Sequence, residues 1–195
     1  VVIFINNQLV RFGGDMSVGA FGIANRIVFI FVMFVMGINQ GMQPIAGYNY
    51  GAQKLDRMMQ VVKLSIIAAT VIMILGWFLA MLAPRQCVSL FTTDQHLIDT
   101  TVHGMRRMML MLPIVGYQMV ITNFFQCIGK VKISIFLSLS RQLLFLLPAL
   151  ALLPIWFGLD GVWLAQPVSD FIASVVTAWI MIVYMHKFKL QHKEN

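Results

Sequence analysis

The run Gly37-Ile38-Asn39-Gln40-Gly41-Met42-Gln43-Pro44-Ile45-Ala46-Gly47-Tyr48-Asn49-Tyr50-Gly51-Ala52 decides how the rest of the chain is read. It closes a long apolar stretch, yet it holds four glycines and a proline in sixteen residues, with side-chain amides among them. A segment that faced lipid alone would carry aliphatic groups there, because hydrocarbon offers no partner to a polar group. The run therefore predicts a helix that crosses a membrane and ends in a bent, closely packed exit.

Working outward, the composition agrees. The 195 residues are 59% hydrophobic and only 11% charged, with a mean hydropathy of +0.84. Soluble domains carry about 45–50% apolar and roughly 25% charged residues, so the expectation is an all-α integral membrane protein. Barrel strands alternate apolar and polar residues over about ten positions, whereas the runs here are continuous and longer. The net charge of +7 matters through its placement across the membrane, and no nucleic-acid partner is read from it. The chain opens Val1-Val2-Ile3-Phe4 without a basic leader region or small-residue cleavage site, so this opening is not read as a signal peptide; a fragment is expected, with a processed product as the alternative.

Six helical segments are expected: about 1–12, 18–46, 58–83, 99–128, 133–157 and 162–184. The first is the tail of a span, since a full crossing needs about twenty residues. Gly13-Gly14-Asp15 is read as a turn, with Ser17 capping the next helix. That helix is longer than the hydrocarbon core and should tilt, kink or leave the membrane near Pro44. Residues 85–98 are read as an outer loop, 1–186 as one transmembrane lobe, and 187–195 as a polar, cytoplasmic tail. Cys87 and Cys127 fall at opposite membrane faces, about 30 Å apart, beyond disulfide reach.

Lys54, Arg57, Lys63, Lys130, Lys132, Lys187, Lys189 and Lys193 collect on one side, while Arg11, Arg85, Arg106 and Arg107 share the other with Asp15, Asp94, Asp99 and Asp160. By the positive-inside rule the first set is cytoplasmic, and so is the C-terminus. The expected location is the inner (cytoplasmic) membrane.

Arg26, Arg141 and Asp170 fall well inside spans, where each costs at least about 2.5–3.5 kcal/mol if unpaired. They should face the bundle interior, either as a buried pair (Asp170 with Arg141 or Arg26) or along an ion or substrate pathway. Asn25 lies beside Arg26, and Asn39, Gln40 and Gln43 follow on the same helix. Gln118, Thr122 and Gln126 recur every four residues on one face, with Asn123 adjacent. Such a stripe serves interhelical hydrogen bonds or the wall of a wet cavity. Gly37/Gly41 and Gly47/Gly51 match the Gly-x-x-x-Gly spacing of close helix contacts. Pro44, Pro113, Pro148, Pro154 and Pro167 lie within or at the ends of spans, a pattern suited to helices that bend. His96, Asp99 and His103 share a helical face but lack the further ligand of an enclosed metal site, so no metal is assigned. No phosphate loop or nucleophile elbow appears; neither ATP binding nor covalent chemistry is expected.

Gly37 to Ala52, followed by Lys54, Asp56 and Arg57, resembles the corresponding segment of multidrug and toxic compound extrusion (MATE) transporters, particularly their MepA-like branch. Further matches come in family order: Pro113; Phe124-Phe125-Gln126 with Gly129-Lys130; Ser140-Arg141-Gln142; and Phe157-Gly158-Leu159-Asp160-Gly161-Val162-Trp163 with Pro167 and Asp170. The resemblance implies a two-lobe, twelve-helix transporter, of which this chain looks like the C-terminal six-helix lobe, its N-terminal partner lobe missing. It implies export of amphipathic, often cationic drugs against an inward proton or sodium flow. No cofactor is implied, and the coupling ion is expected mainly outside this chain. Candidate cavity or lobe-interior residues are Asn25, Arg26, Gln118, Thr122, Asn123, Arg141 and Asp170. Gly37, Gln40, Gly41, Gln43, Pro44, Gly47, Asn49, Gly51 and Ala52 are read as a structural motif without direct drug contact. A lipid-linked oligosaccharide flippase of the same wider superfamily is the alternative, but it would need a strongly basic cavity. A non-transport scaffold would need neither the helix breaks nor the inward charges.

Overall fold

The computed structural model describes residues 1–191, with side chains to residue 186. The fold is all-α. Continuous apolar runs leave helices as the only way to pair every backbone group inside lipid, and the helices are α1 (Val2–Gly51), α2 (Leu55–Leu82), α3 (Pro84–Ser89), α4 (Gln95–Met108), α5 (Leu112–Cys127), α6 (Val131–Leu139), α7 (Leu147–Phe157) and α8 (Leu159–Gln191), with a π-helical turn at Ser140–Leu146 joining α6 to α7. Among the described residues, four segments are long and apolar enough to span: Val2–Gly51, Leu55–Leu82, Val131–Phe157 and Leu159–His186. α4 and α5, bent by 56° at the break between them, are long and apolar enough only when taken together.

At 1.5 Å per residue, α1 is about 75 Å long, more than twice a bilayer core. It divides at Gly14, whose φ of 69° and ψ of −175° interrupt the helix. The short part, residues 2–13, precedes the break, and the long part follows.

Several sequence expectations need correction here. Ser17 is not a cap: its hydroxyl donates back to the Gly13 carbonyl at 2.8 Å, because the non-helical residue is Gly14 and Ser17 already lies inside the next turn. The helix does not exit at Pro44; it continues to Gly51. Proline removes one backbone donor but need not end a helix that is otherwise held, and here Asn49 ties back to the Ile45 carbonyl at 2.8 Å. Residues 85–98 are not a plain loop, since α3 and the start of α4 occupy most of them. Asp94 caps α4, its carboxylate accepting from the His96 backbone N–H at 2.9 Å. The single helix expected over 99–128 is two, parted at Met109–Met111 just before Pro113. The C-terminal segment is helical through Gln191, and residues 192–195 of the expected tail lie outside the described residues.

The bundle closes on buried small and flexible side chains. Met42, Met58, Met73, Met105 and Met109 are fully buried beside Trp163, Phe124 and Phe125; unbranched Met fills irregular gaps between bent helices. Glycines stand at several of the close approaches between helices. A Cβ at Gly116 would lie 2.8 Å from the Ala69 carbonyl oxygen, so α5 and α2 meet there backbone to backbone. A Cβ at Gly104 would enter the Trp163 ring. The Gly-x-x-x-Gly pairs behave otherwise. Gly37, Gly41 and Gly51 have open space where a Cβ would stand, and only Gly47 approaches another helix, 3.6 Å from the Cys127 carbonyl oxygen. Gly37, Gly41 and Gly51 are exposed on α1 instead of packed within the bundle.

Candidate functional site

The long part of α1, with α4, α5, α6, the π turn and α8, encloses a cleft of about 500 Å³. Its polar wall comes from Asn25 on α1, Gln118, Thr122 and Asn123 on α5, Arg141 and Gln142 in the π turn, and Gln166 and Asp170 on α8. Its apolar wall includes Val28, Val32, Met36, Met108, Val115, Met119 and Leu137. The volume falls within the roughly 300–1,000 Å³ typical of small-molecule sites. A second cleft of about 420 Å³ lies against the short part of α1 and shares Asn25, Arg141, Gln142 and Gln166 with the first.

Periodicity explains the α5 wall. Gln118 and Thr122, four residues apart, point the same way, and the Thr122 hydroxyl donates to the Gln118 carbonyl at 2.8 Å. Asn123 donates to the Met119 carbonyl at 2.9 Å and accepts from the Gln43 side chain at 3.0 Å. The Gln43–Asn123 bond ties α1 to α5 and makes Gln43 an interhelical partner. Gln126, on the same sequence stripe, is exposed and lies outside the cleft. Gln118 is buried, and its side-chain oxygen has no hydrogen-bond partner among the described residues.

The α8 wall is built around one residue pair. Arg141 Nη1 lies 3.7 Å from Asp170 Oδ1, an ion pair at the long end of contact. The Asp170 side chain is 7% exposed and that of Arg141 29%, so the carboxylate is walled in while the guanidinium reaches the cleft. Gln166, one turn earlier on α8, lines the cleft with this pair. Ser169 donates its hydroxyl to the Arg141 backbone carbonyl at 2.8 Å. A π turn leaves carbonyls displaced from the regular ladder, and a neighbouring hydroxyl takes up this one. Consecutive residues of α8 thus hold Arg141 by main chain and by side chain. Tyr117 adds a further α5–α8 tie, its hydroxyl donating to the Ser174 carbonyl at 2.6 Å.

Of the sequence candidates, Asn25, Gln118, Thr122, Asn123, Arg141 and Asp170 line this one cleft. Arg26 does not; it is exposed and has no ion pair among the described residues. One residue of helix, a rotation of about 100°, separates Asn25 at the cleft from Arg26 outside it. Of the motif residues, Gln40, Gly41, Pro44, Gly51 and Ala52 are exposed, while Asn49 is buried. Buried Asn39 has both side-chain polar atoms unpartnered among the described residues. Sequence reasoning missed Gln142 and Gln166, although Gln142 belongs to the quoted Ser140-Arg141-Gln142 and Gln166 lies one turn before Asp170.

The arrangement has no triad and, among the described residues, no group of His, Cys, Asp or Glu able to hold a metal. His103 faces Asp160 at 3.9 Å, and Arg85 pairs with Asp99. Cys87 and Cys127 are free thiols. The cleft offers one internally neutralised charge pair, several amides and a flexible apolar wall.

Comparison with known proteins places this geometry. The MatE family matches residues 2–150. The multidrug export protein MepA of Staphylococcus aureus (strain MSSA476) is 25% identical over 177 residues, which cover 91% of this chain and 38% of that protein. The solved structure of the MATE multidrug transporter DinF-BH superposes with a TM-score of 0.79 at 40% identity, over 91% of this chain and 40% of that one. A MATE structure in complex with MaL6 superposes with a TM-score of 0.89 at 21% identity, over 96% of this chain and 43% of its own; at that identity the likeness concerns the fold. The chain therefore spans about two fifths of the length of the proteins it matches. These matched proteins are transporters and not enzymes.

Proposed function

We propose a transport role from one premise: this chain belongs to the MatE family. It forms one lobe of a multidrug efflux transporter that moves amphipathic, mainly cationic drugs outward by alternating access. A second six-helix lobe supplies the facing wall and most of the coupling site, through which protons or sodium ions flow inward. The end bearing Lys54 and Lys130 faces the cytoplasm, and the protein resides in the cytoplasmic membrane.

The observation that carries this reading is the cleft of about 500 Å³ with amide and methionine walls in an otherwise apolar bundle. A packed scaffold has no use for such a volume. Drugs of differing shape need a wall that adapts, which Met36, Met108 and Met119 provide, and hydrogen-bonding groups spread over several helices. The flippase alternative fares worse, because a pyrophosphate headgroup asks for unpaired cations and the one guanidinium in the cleft is paired with Asp170.

The test is dye efflux by the complete polypeptide in proteoliposomes under an imposed proton or sodium gradient. Gln118→Ala with Asn123→Ala should lower efflux of an amphipathic cation at least several-fold, with protein abundance kept within a factor of two. Undiminished efflux from the doubly substituted protein would remove the cleft from the transport path.

A further inference from the structure

The two turns at the Lys54 end of the bundle are built alike. After α1, Ala52, Gln53 and Lys54 donate their N–H groups to the carbonyls of Tyr48, Tyr50 and Asn49 at 2.9, 3.1 and 2.9 Å. After α5, Ile128, Gly129 and Lys130 donate to Phe124, Gln126 and Phe125 at 3.2, 3.2 and 2.9 Å. Each turn has a left-handed residue at its centre, Gln53 with φ 58° and Gly129 with φ 78°. Each then places a lysine as N-cap of the following helix, and neither α2 nor α6 has a side-chain cap. The turns are neighbours, because the helices leading into them touch at Gln43–Asn123 and at Gly47–Cys127.

Charge at this end is not neutralised internally. Lys54, Arg57, Lys63, Lys130 and Lys132 are all exposed and have no ion pair among the described residues. Asp56, also exposed, is the one carboxylate set among them within the described residues. At the opposite end Arg85 pairs with Asp99 and Arg107 with Asp160, while Asp94 caps α4. Beside the twin turns the helix flanks are apolar and open: Tyr48 is 73% exposed, Val131 46% and Ile135 51%. Unpaired cations bordered by exposed apolar side chains match an occupant with an anionic head and a hydrocarbon body.

We propose that the paired turns at Gln53-Lys54 and Gly129-Lys130 bind the phosphodiester headgroup of an anionic phospholipid, with its acyl chains along Tyr48, Val131 and Ile135. The lysines supply charge, and the uncapped N-terminal N–H groups of α2 and α6 add donors of the kind that favour phosphate. Lipid charge near basic side chains yields about a fivefold gain in binding for each cation.

The complete protein is purified in detergent, incubated with short-chain phosphatidylglycerol or phosphatidylcholine at matched concentration, and bound lipid is counted by native mass spectrometry. Phosphatidylglycerol should be retained in clear preference, and Lys54→Gln and Lys130→Gln should each reduce its retention about fivefold. Lys54→Arg with Lys130→Arg should keep it, and Arg85→Gln at the other end should not change it. Equal retention of both lipids overturns the proposal, as does equal loss from Arg85→Gln. Displacement of phosphatidylglycerol by inorganic phosphate at the same concentration also overturns it, since that marks a site for the free anion. None of these readouts depends on transport.

Discussion

Replacing Asp170 by Asn isolates the role of the one carboxylate in the cleft. The pair is separated by 3.7 Å, with the Asp170 side chain 7% exposed and Arg141 29% exposed. At an effective dielectric of about 20, unit charges at that distance attract by roughly 4 kcal/mol. Desolvation of the buried carboxylate takes back part of this, and breaking a fully buried pair costs about 3–5 kcal/mol. Because Arg141 reaches the open cleft, the net loss should be smaller, about 2 kcal/mol. For a polypeptide about two and a half times this length, as the matched proteins are, that is a fall of roughly 2 °C in melting temperature. The assay is thermal unfolding of the complete protein in detergent, combined with abundance in the membrane and the pH profile of dye efflux. Asp170→Asn should lower melting temperature and abundance while leaving the pH profile nearly in place. Adding Arg141→Gln should restore most of the stability, because an amide pair leaves no unpaired charge. A variant of unchanged stability whose pH profile moves would refute the reasoning and make Asp170 a coupling carboxylate.

Two further outcomes follow from packing. Gly116→Ala should destabilise by at least about 2 kcal/mol, because its Cβ meets the Ala69 backbone at 2.8 Å; Gly41→Ala, with open space around it, should leave thermal stability nearly unchanged in the same assay. A double-mutant cycle on Gln43→Leu and Asn123→Leu should give a coupling of about 0.6 kcal/mol, the usual worth of an interhelical bond in a membrane, and a coupling of zero would deny the 3.0 Å contact.

Much of the architecture was legible because lipid permits so few solutions. Long apolar runs had to be helices, and Gly13-Gly14 had to interrupt them. The Arg141–Asp170 pair was half legible: opposite charges inside spans seek each other, but the sequence offered Asp170 either Arg141 or Arg26, and the fold chose Arg141. The Gln118/Thr122 stripe was found through helical spacing, whereas Asn25 entered only as the neighbour of Arg26. Other features depend on neighbours that spacing does not reveal. Gly37/Gly41 and Gly116 look equally suited to close packing, but only Gly116 turns towards another backbone. Arg26 and Asn25 are adjacent, so the sequence offered both to the cleft and the helix rotation admitted one. The π turn at Ser140–Leu146 has no sequence signature, since Arg141 and Gln142 suit an ordinary α-helix. Pro44 misled in the opposite direction: its missing N–H is real, but the exposed face of α1 tolerates it.

The central claim is that drug occupies the cleft and not the glycine-rich end of α1. In the complete protein with Cys87→Ser and Cys127→Ser, single cysteines at Thr122→Cys and Gln40→Cys are labelled with a small maleimide, with and without a saturating amphipathic cation. The account predicts several-fold slower labelling at position 122 when drug is present and no change at position 40. Protection at position 40 alone would contradict it.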